Sequence, residues 1–277
     1  MHIAPHDNLN RAIIDREDPL VPLVYLNIVK LKPGETFTSH VPGYETCIVP
    51  ATGTVDVTTD GQDFPAIGKR RLNVWDGDPE GVYVPSGAPA TITCTAETEV
   101  FIAGARFADY RPAFAVREVD LVQYGSDDTK THRKIKHILG QKYHDRVGRL
   151  LVSELYTVGA GGWSGFPSHK HDTNRLPLET RHDEVYNFRF NPPHGSGLQM
   201  LQREEGKVGD AYHLMDRSTV AIDKGYHPCC VLPGYEMYYF TILGGLTQRP
   251  LVQYFQPEHA DQIETIPGIK DMIAKFK

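Results

Sequence analysis

Short runs of β-branched and aromatic residues, each closed by Gly, Pro or Asp, recur along almost the whole chain. Residues 24–31 stop at Lys32-Pro33-Gly34, and similar runs cover 46–49, 53–58, 71–74, 82–85, 90–95 and 99–103. Runs resume at 149–158 and continue past Tyr239. Proline cannot donate to a strand ladder and glycine turns the backbone freely, so this punctuation ends each strand after a few residues. The pattern predicts an all-β sandwich or barrel with few short helices. One short amphipathic helix is predicted over residues 266–276, opening near Pro267. Residues 1–20 are polar and mixed and predict an irregular arm.

The 277 residues suffice for two domains of roughly 100–150 residues each. The halves repeat one order of signals. Gly34, His40, Glu45 and a strand ending at Pro85-Ser86-Gly87 correspond to Gly162, His169 with His171, Glu184, and a strand ending at Lys224-Gly225. A duplicated β-barrel is therefore expected, with a first domain at 1–128, a connector at 129–148 and a second domain at 149–277. The connector carries the most basic window, residues 130–137. It reads either as a solvated link or as the source of one cation that holds an acidic ligand.

His169 and His171, two residues apart on a strand, point to the same side. With Glu184 and His227 they form a set of three imidazoles and one carboxylate suited to a single divalent ion. Nitrogen and oxygen donors without thiolate fit zinc first, with manganese, iron or nickel as alternatives. In the first half Pro42 and Ala90 stand where further histidines would be needed, so His40 and Glu45 are expected to be a structural pair without metal. Residues 172–183 form a long polar excursion between two ligands, expected at the pocket mouth. There Arg175 or Arg181 would clamp a substrate carboxylate, while His182 is expected on the surface. Alternation after Glu184 keeps Tyr186 and Phe188 on its side and turns Val185, Asn187 and Arg189 away. In the run 235–241, Glu236 and Tyr238 share one face and Tyr239 takes the other. Tyr186, Tyr238 and Glu236 are the candidate proton carriers, beside a hydroxide on the metal.

Other chemistries lack their signatures. No phosphate-binding glycine loop follows a strand, and Gly195-Ser196-Gly197 has the wrong spacing for a nucleophile elbow. A net charge of −6 gives no footprint for nucleic acid, and an anionic substrate would need a locally placed cation. The four cysteines form no CxxC pair and are expected as free thiols in a reducing cytoplasm. Neither a signal peptide nor a membrane span is expected.

Several stretches resemble the KduI/IolB family of sugar-acid isomerases. They are Trp163-Ser164-x-x-Pro167-x-His169-Lys170-His171-Asp172, Glu184-x-Tyr186, Arg189-Phe190-Asn191-Pro192-Pro193, Lys224-Gly225-Tyr226-His227-Pro228 and Pro233-Gly234-Tyr235-x-x-Tyr238-Tyr239. Weaker likeness runs through Val74-Trp75-Asp76-Gly77 and Val82-Tyr83-Val84-Pro85. The resemblance implies a bicupin with one metal, in the second barrel, on His169, His171, Glu184 and His227. It implies aldose–ketose isomerisation of 5-deoxy-glucuronate to 5-dehydro-2-deoxygluconate in myo-inositol catabolism, by a homo-oligomer. The chain departs from the family pattern at Asn187, at Arg181-His182-Asp183 and across residues 195–205. Two other activities share the ligand set or the fold: an Fe(II)-dependent dioxygenase and a non-catalytic sugar-acid sensor. The sensor would need a DNA-binding segment, which the sequence lacks.

Overall fold

The computed structural model describes residues 1–275, and their strands build two antiparallel sandwiches. In the first, a six-stranded sheet centres on Tyr44–Thr52, Thr98–Arg106 and Val24–Leu31, paired through Ile102↔Ile48 and Phe101↔Ile28. A four-stranded sheet of Thr36–Ser39, Ala90–Cys94, Val55–Thr59 and Gln62–Ile67 faces it. Val29, Leu31, Ile48, Val57, Val82 and Ile102 fill the space between them, each burial contributing about 1.5–3 kcal/mol. This aliphatic filling occupies the volume where the second barrel carries its polar cluster, and His40 lies exposed outside it.

The second sandwich has a seven-stranded sheet. Its order runs His2–Ile3, Thr219–Ile222, His182–Asn191, Glu236–Gly245, Leu150–Thr157, Arg133–Leu139 and Asp120–Tyr124. Opposite it lie Gly162–Ser164, Cys229–Val231, Ser196–Leu201 and Asp210–Met215. Phe188, Phe190, Leu214, Val220 and Met237 pack the interior. The outer faces of the two large sheets pack against each other, with Phe101 stacked on Phe240 at 4.3 Å between ring centres.

Buried polar contacts fix that junction. Arg70 of the first barrel grips Glu154 of the second through two bonds of 2.6 and 2.5 Å, both side chains inaccessible to solvent. Arg189 reaches back to Glu99 at 2.8 Å. Glu45 does not pair with His40. Its carboxylate accepts the backbone N–H groups of Gly148 (2.8 Å), Arg149 (2.5 Å) and Leu150 (2.7 Å), and the Tyr83 hydroxyl at 2.5 Å. A first-barrel side chain thus satisfies the opening of a second-barrel strand.

Several expectations change. The N-terminal arm is anchored: His2–Ile3 pairs with the second barrel's sheet and Ala12–Ile14 with Val24–Leu31. The basic window is no solvated link, because Arg133–Leu139 is an inner strand of the seven-stranded sheet. There Arg133 and Ile135 face the barrel interior, while Lys136 points at the first barrel and bonds the Gly77 carbonyl (2.5 Å) and Asp78 (2.9 Å). Residues 71–74 form bends and a turn instead of a strand, and the backbone N–H groups of Arg71 and Leu72 go to the Asp76 carboxylate. Strands Thr36–Ser39 and Gln62–Ile67 were too polar to stand out in the sequence. The predicted helix forms as Ile269–Lys275, and Ile266, Ile269 and Met272 pack onto Val122, Tyr124 and Ile135; Phe276 lies outside the described residues. All four cysteines are unpaired, and among the described residues no helix is long and apolar enough to cross a membrane.

Replacing Glu45 by Ala strands three backbone donors and a phenol at the junction, so unfolding stability should fall by roughly 3 kcal/mol or more. Glu45→Gln keeps one acceptor and should recover part of the loss. Urea midpoints for the three proteins test this, and an unchanged midpoint in Glu45→Ala would refute the assigned role.

Candidate metal centre

His169 belongs to the two-residue strand His169–Lys170, paired with Tyr254–Phe255, and His171 follows as the chain leaves that strand. Glu184 projects inward from His182–Asn191, and His227 arrives from the turn before Cys229–Val231. One nitrogen from each of the three imidazoles lies within 4.8 Å of the others. His171 Nδ1 is 3.1 Å from the His182 carbonyl oxygen and His227 Nδ1 is 2.8 Å from that of Gly225. A carbonyl only accepts, so both Nδ1 atoms carry the proton and the neutral rings present lone pairs at Nε2.

Those Nε2 atoms lie 3.1 and 3.2 Å from one oxygen of Glu184, and His227 Nε2 has no hydrogen-bond partner. Tyr186 donates to the same carboxylate oxygen at 2.9 Å, and Thr241 to the other at 2.8 Å. Lone pairs of two imidazoles and a carboxylate converge in a buried volume, an arrangement that calls for protons on both rings or a cation among them. The four side chains therefore fit a divalent ion, and the carbonyl partners of both rings orient them for it. Burial raises the Glu184 carboxyl, but the neighbouring His171 and His227 rings outweigh it and hold the group well below the usual carboxylate range. Burial, with His227 and His171 beside it, keeps His169 neutral.

A cavity of about 50 Å³ adjoins the cluster, walled by Tyr124, Ile135, Leu155, Tyr186, Tyr239 and Met272. A larger hollow of about 320 Å³ lies between Trp163, Met200 and Tyr226 and holds none of the four ligands. His169, His171 and Glu184 line the smaller space.

Of the expected site residues, Tyr186 lies in this cavity and Tyr238 does not. Tyr238 turns to the junction, where its hydroxyl donates to Glu154 at 2.9 Å. Glu236 sits at the strand's start and accepts from Asn191 at 3.1 Å. Tyr239 takes the inward position because it pairs with Phe188, which shares Glu184's face. Neither Arg175 nor Arg181 lines the cavity. The buried Glu179 carboxylate gathers the excursion, accepting Asp172 N–H (2.8 Å), Thr173 N–H (3.0 Å) and Arg175 Nε (2.8 Å). Arg175 lies over the Tyr254 ring at 4.2 Å, and Arg181 reaches Asp183 at 3.8 Å. His182 is buried, not superficial; burial and His171 lower it to about 4. Its carbonyl orients His171, a role with no side-chain signature in sequence. Asn187 faces the junction and bonds Thr219 at 2.9 Å, so that departure from the family pattern lies outside the pocket.

Comparison with known proteins agrees with this architecture. The family model described as "KduI/IolB family" matches residues 4–262. A 5-deoxy-glucuronate isomerase of Bacillus velezensis is 30% identical over 227 residues, covering 82% of this chain and 83% of the relative. One from Shouchella clausii is 30% identical over 234 residues, covering 83% and 85%. The crystal structure of an IolB-like protein from Salmonella typhimurium superposes with a TM-score of 0.82 at 28% identity, covering 90% of this chain and 93% of that one. Bacillus subtilis oxalate decarboxylase shares the fold alone, at a TM-score of 0.59 and 11% identity over 92% of this chain and 78% of its own. With its family model spanning nearly the whole sequence, the chain belongs to the KduI/IolB family.

Proposed function

We propose that this aldose–ketose isomerase acts on a sugar acid, 5-deoxy-D-glucuronate, giving 5-dehydro-2-deoxy-D-gluconate in myo-inositol catabolism. One divalent ion, zinc first among the candidates, would be held by His169, His171, Glu184 and His227. The convergence of two Nε2 lone pairs on the Glu184 carboxylate carries this reading. Bound there, the ion supplies Lewis acidity toward adjacent carbonyl and hydroxyl oxygens. Free thiols suit the reducing cytoplasm, and a homo-oligomer is part of the same proposal.

The chain's own groups narrow the hydrogen transfer. Burial, then the Glu184 charge, holds the Tyr186 phenol well above its usual range, and burial does the same for Tyr239. Both tyrosines therefore stay protonated near neutrality, which makes them poor acceptors of a proton from carbon. Among the described residues walling the cavity, every other titratable group except the phenol of Tyr124 is a metal ligand. That inventory favours direct passage of hydrogen from C2 to C1, with the O2 proton moving to O1, over relay through a side-chain base.

Three outcomes are expected. NMR of the metal-replete protein with a panel of uronic and deoxyuronic acids should show ketose formed fastest from the 5-deoxy compound; no turnover of any uronate would remove the reading. His171→Ala should lose stoichiometric metal by elemental analysis and drop kcat/KM by at least about hundredfold. Substrate deuterated at C2 should keep its label at C1 of the product, whereas complete exchange into water would restore a proton relay.

A further inference from the structure

Arg133 is inaccessible to solvent, and among the described residues it has no carboxylate partner. Its Nε donates to the Tyr156 carbonyl at 3.1 Å and one Nη to the Tyr239 hydroxyl at 3.3 Å, while Nη1 has no partner. The other deeply buried arginines are matched. Arg70 has Glu154, Arg189 has Glu99, and Arg249 donates to the carbonyls of Leu150, Leu139 and Gly140. An unmatched guanidinium in a barrel interior is costly, and the usual complement for it is an anion.

Position supplies that anion's source. Arg133 shares a strand face with Ile135, and the guanidinium lies 5.6 Å from the centre of the Tyr239 ring. Ile135 and Tyr239 both wall the cavity beside the metal ligands. The Tyr239 ring lies 4.5 Å from that of Tyr186, whose hydroxyl reaches Glu184. The guanidinium thus stands one ring beyond the ligand cluster, behind the Tyr239 wall of that cavity, which it does not itself line. Arg175 and Arg181, the two cations expected for this task, are held elsewhere by Glu179 and Asp183.

We infer that Arg133 is the binding residue for the substrate's carboxylate, holding the acid end of the sugar while its carbonyl end meets the histidine–glutamate cluster. The inference rests on the sugar-acid reading of this site. The planar fork of guanidinium suits a carboxylate better than a lysine does, and Nη1 offers the free donor. Neutral aldoses would leave this cation buried and unmatched, which selects against them.

Binding of two non-isomerisable ligands isolates the contact. Gluconate and glucarate share one hydroxy-acid end, and only glucarate carries a second carboxylate. Calorimetry on the metal-replete wild type should show glucarate binding roughly tenfold or more tighter than gluconate. Arg133→Met should bring the two affinities together without weakening gluconate, and Arg133→Lys should keep part of the difference. A wild type that binds both ligands equally overturns the inference, even if Arg133→Met does not fold. A folded Arg133→Met that keeps the full preference overturns it as well. Should wild type discriminate the ligands yet isomerise no uronate, the carboxylate contact stands and the substrate reading falls.

Discussion

The seven-stranded sheet is buried on both faces, and the structure depends on keeping those faces apart. Along Glu236–Gly245, Tyr239, Thr241 and Leu243 look into the cavity while Tyr238, Phe240 and Ile242 pack the junction. Along His182–Asn191, Glu184 and Tyr186 look inward while Val185 and Arg189 look toward the first barrel. Side-chain period on a strand is two, so slipping either strand by one residue would exchange a cavity residue for a junction residue. Neither face tolerates the exchange. The junction is held by stacked rings and a buried Arg70–Glu154 pair, and the interior by a carboxylate that needs histidines around it.

The same two-sided burial explains what was legible in the sequence. Strand existence was plain, since Val24–Leu31 and Thr98–Arg106 are dense in β-formers between turn residues. The histidine–glutamate cluster was plain too, because His-x-His with a later Glu and His is a chemical pattern independent of strand bounds. Choosing a face was harder. Where both sides of a strand are buried, apolar alternation vanishes, and Tyr238 and Tyr239 carry no local mark of which looks inward. Only the pairing with Phe188 decides it. Arg175 misled for a different reason: a loop arginine looks free in sequence, yet Glu179, four residues on, takes it.

Buried charge follows one logic at three places. Glu184 is held by the Tyr186 and Thr241 hydroxyls among three imidazoles, Glu154 by Arg70 and two phenols, and Glu45 by backbone donors and a phenol. Glu154 and Glu45 each gather three or more donors, which offsets the cost of leaving water, whereas Glu184 has two, the hydroxyls of Tyr186 and Thr241. Two of the three lie at the junction and one in the cavity. The two at the junction are complete as they stand, whereas the imidazoles around Glu184 aim lone pairs at it and so remain completed only by a cation or by protons. Completeness of hydrogen bonding thus separates the two junction carboxylates from the one in the candidate site more clearly than burial does.

A barrel filled with valine and isoleucine still serves the site, from behind. The first barrel touches the strand that carries Glu184 on both sides of that residue. The Leu23 N–H donates to Asp183 at 3.0 Å, Val185 packs into the shared core, and Glu99 holds Arg189. Glu45 meanwhile fixes the start of Leu150–Thr157, the strand that pairs with Glu236–Gly245 in the same sheet. Ligand geometry tolerates errors of only about half an ångström, and loops rarely hold it that well. Pinning the outer face of the sheet restricts the backbone from which Glu184, Tyr186 and Tyr239 project. The second barrel's site is therefore built with the first barrel's side chains, which gives the aliphatic barrel a role in a reaction it does not contact.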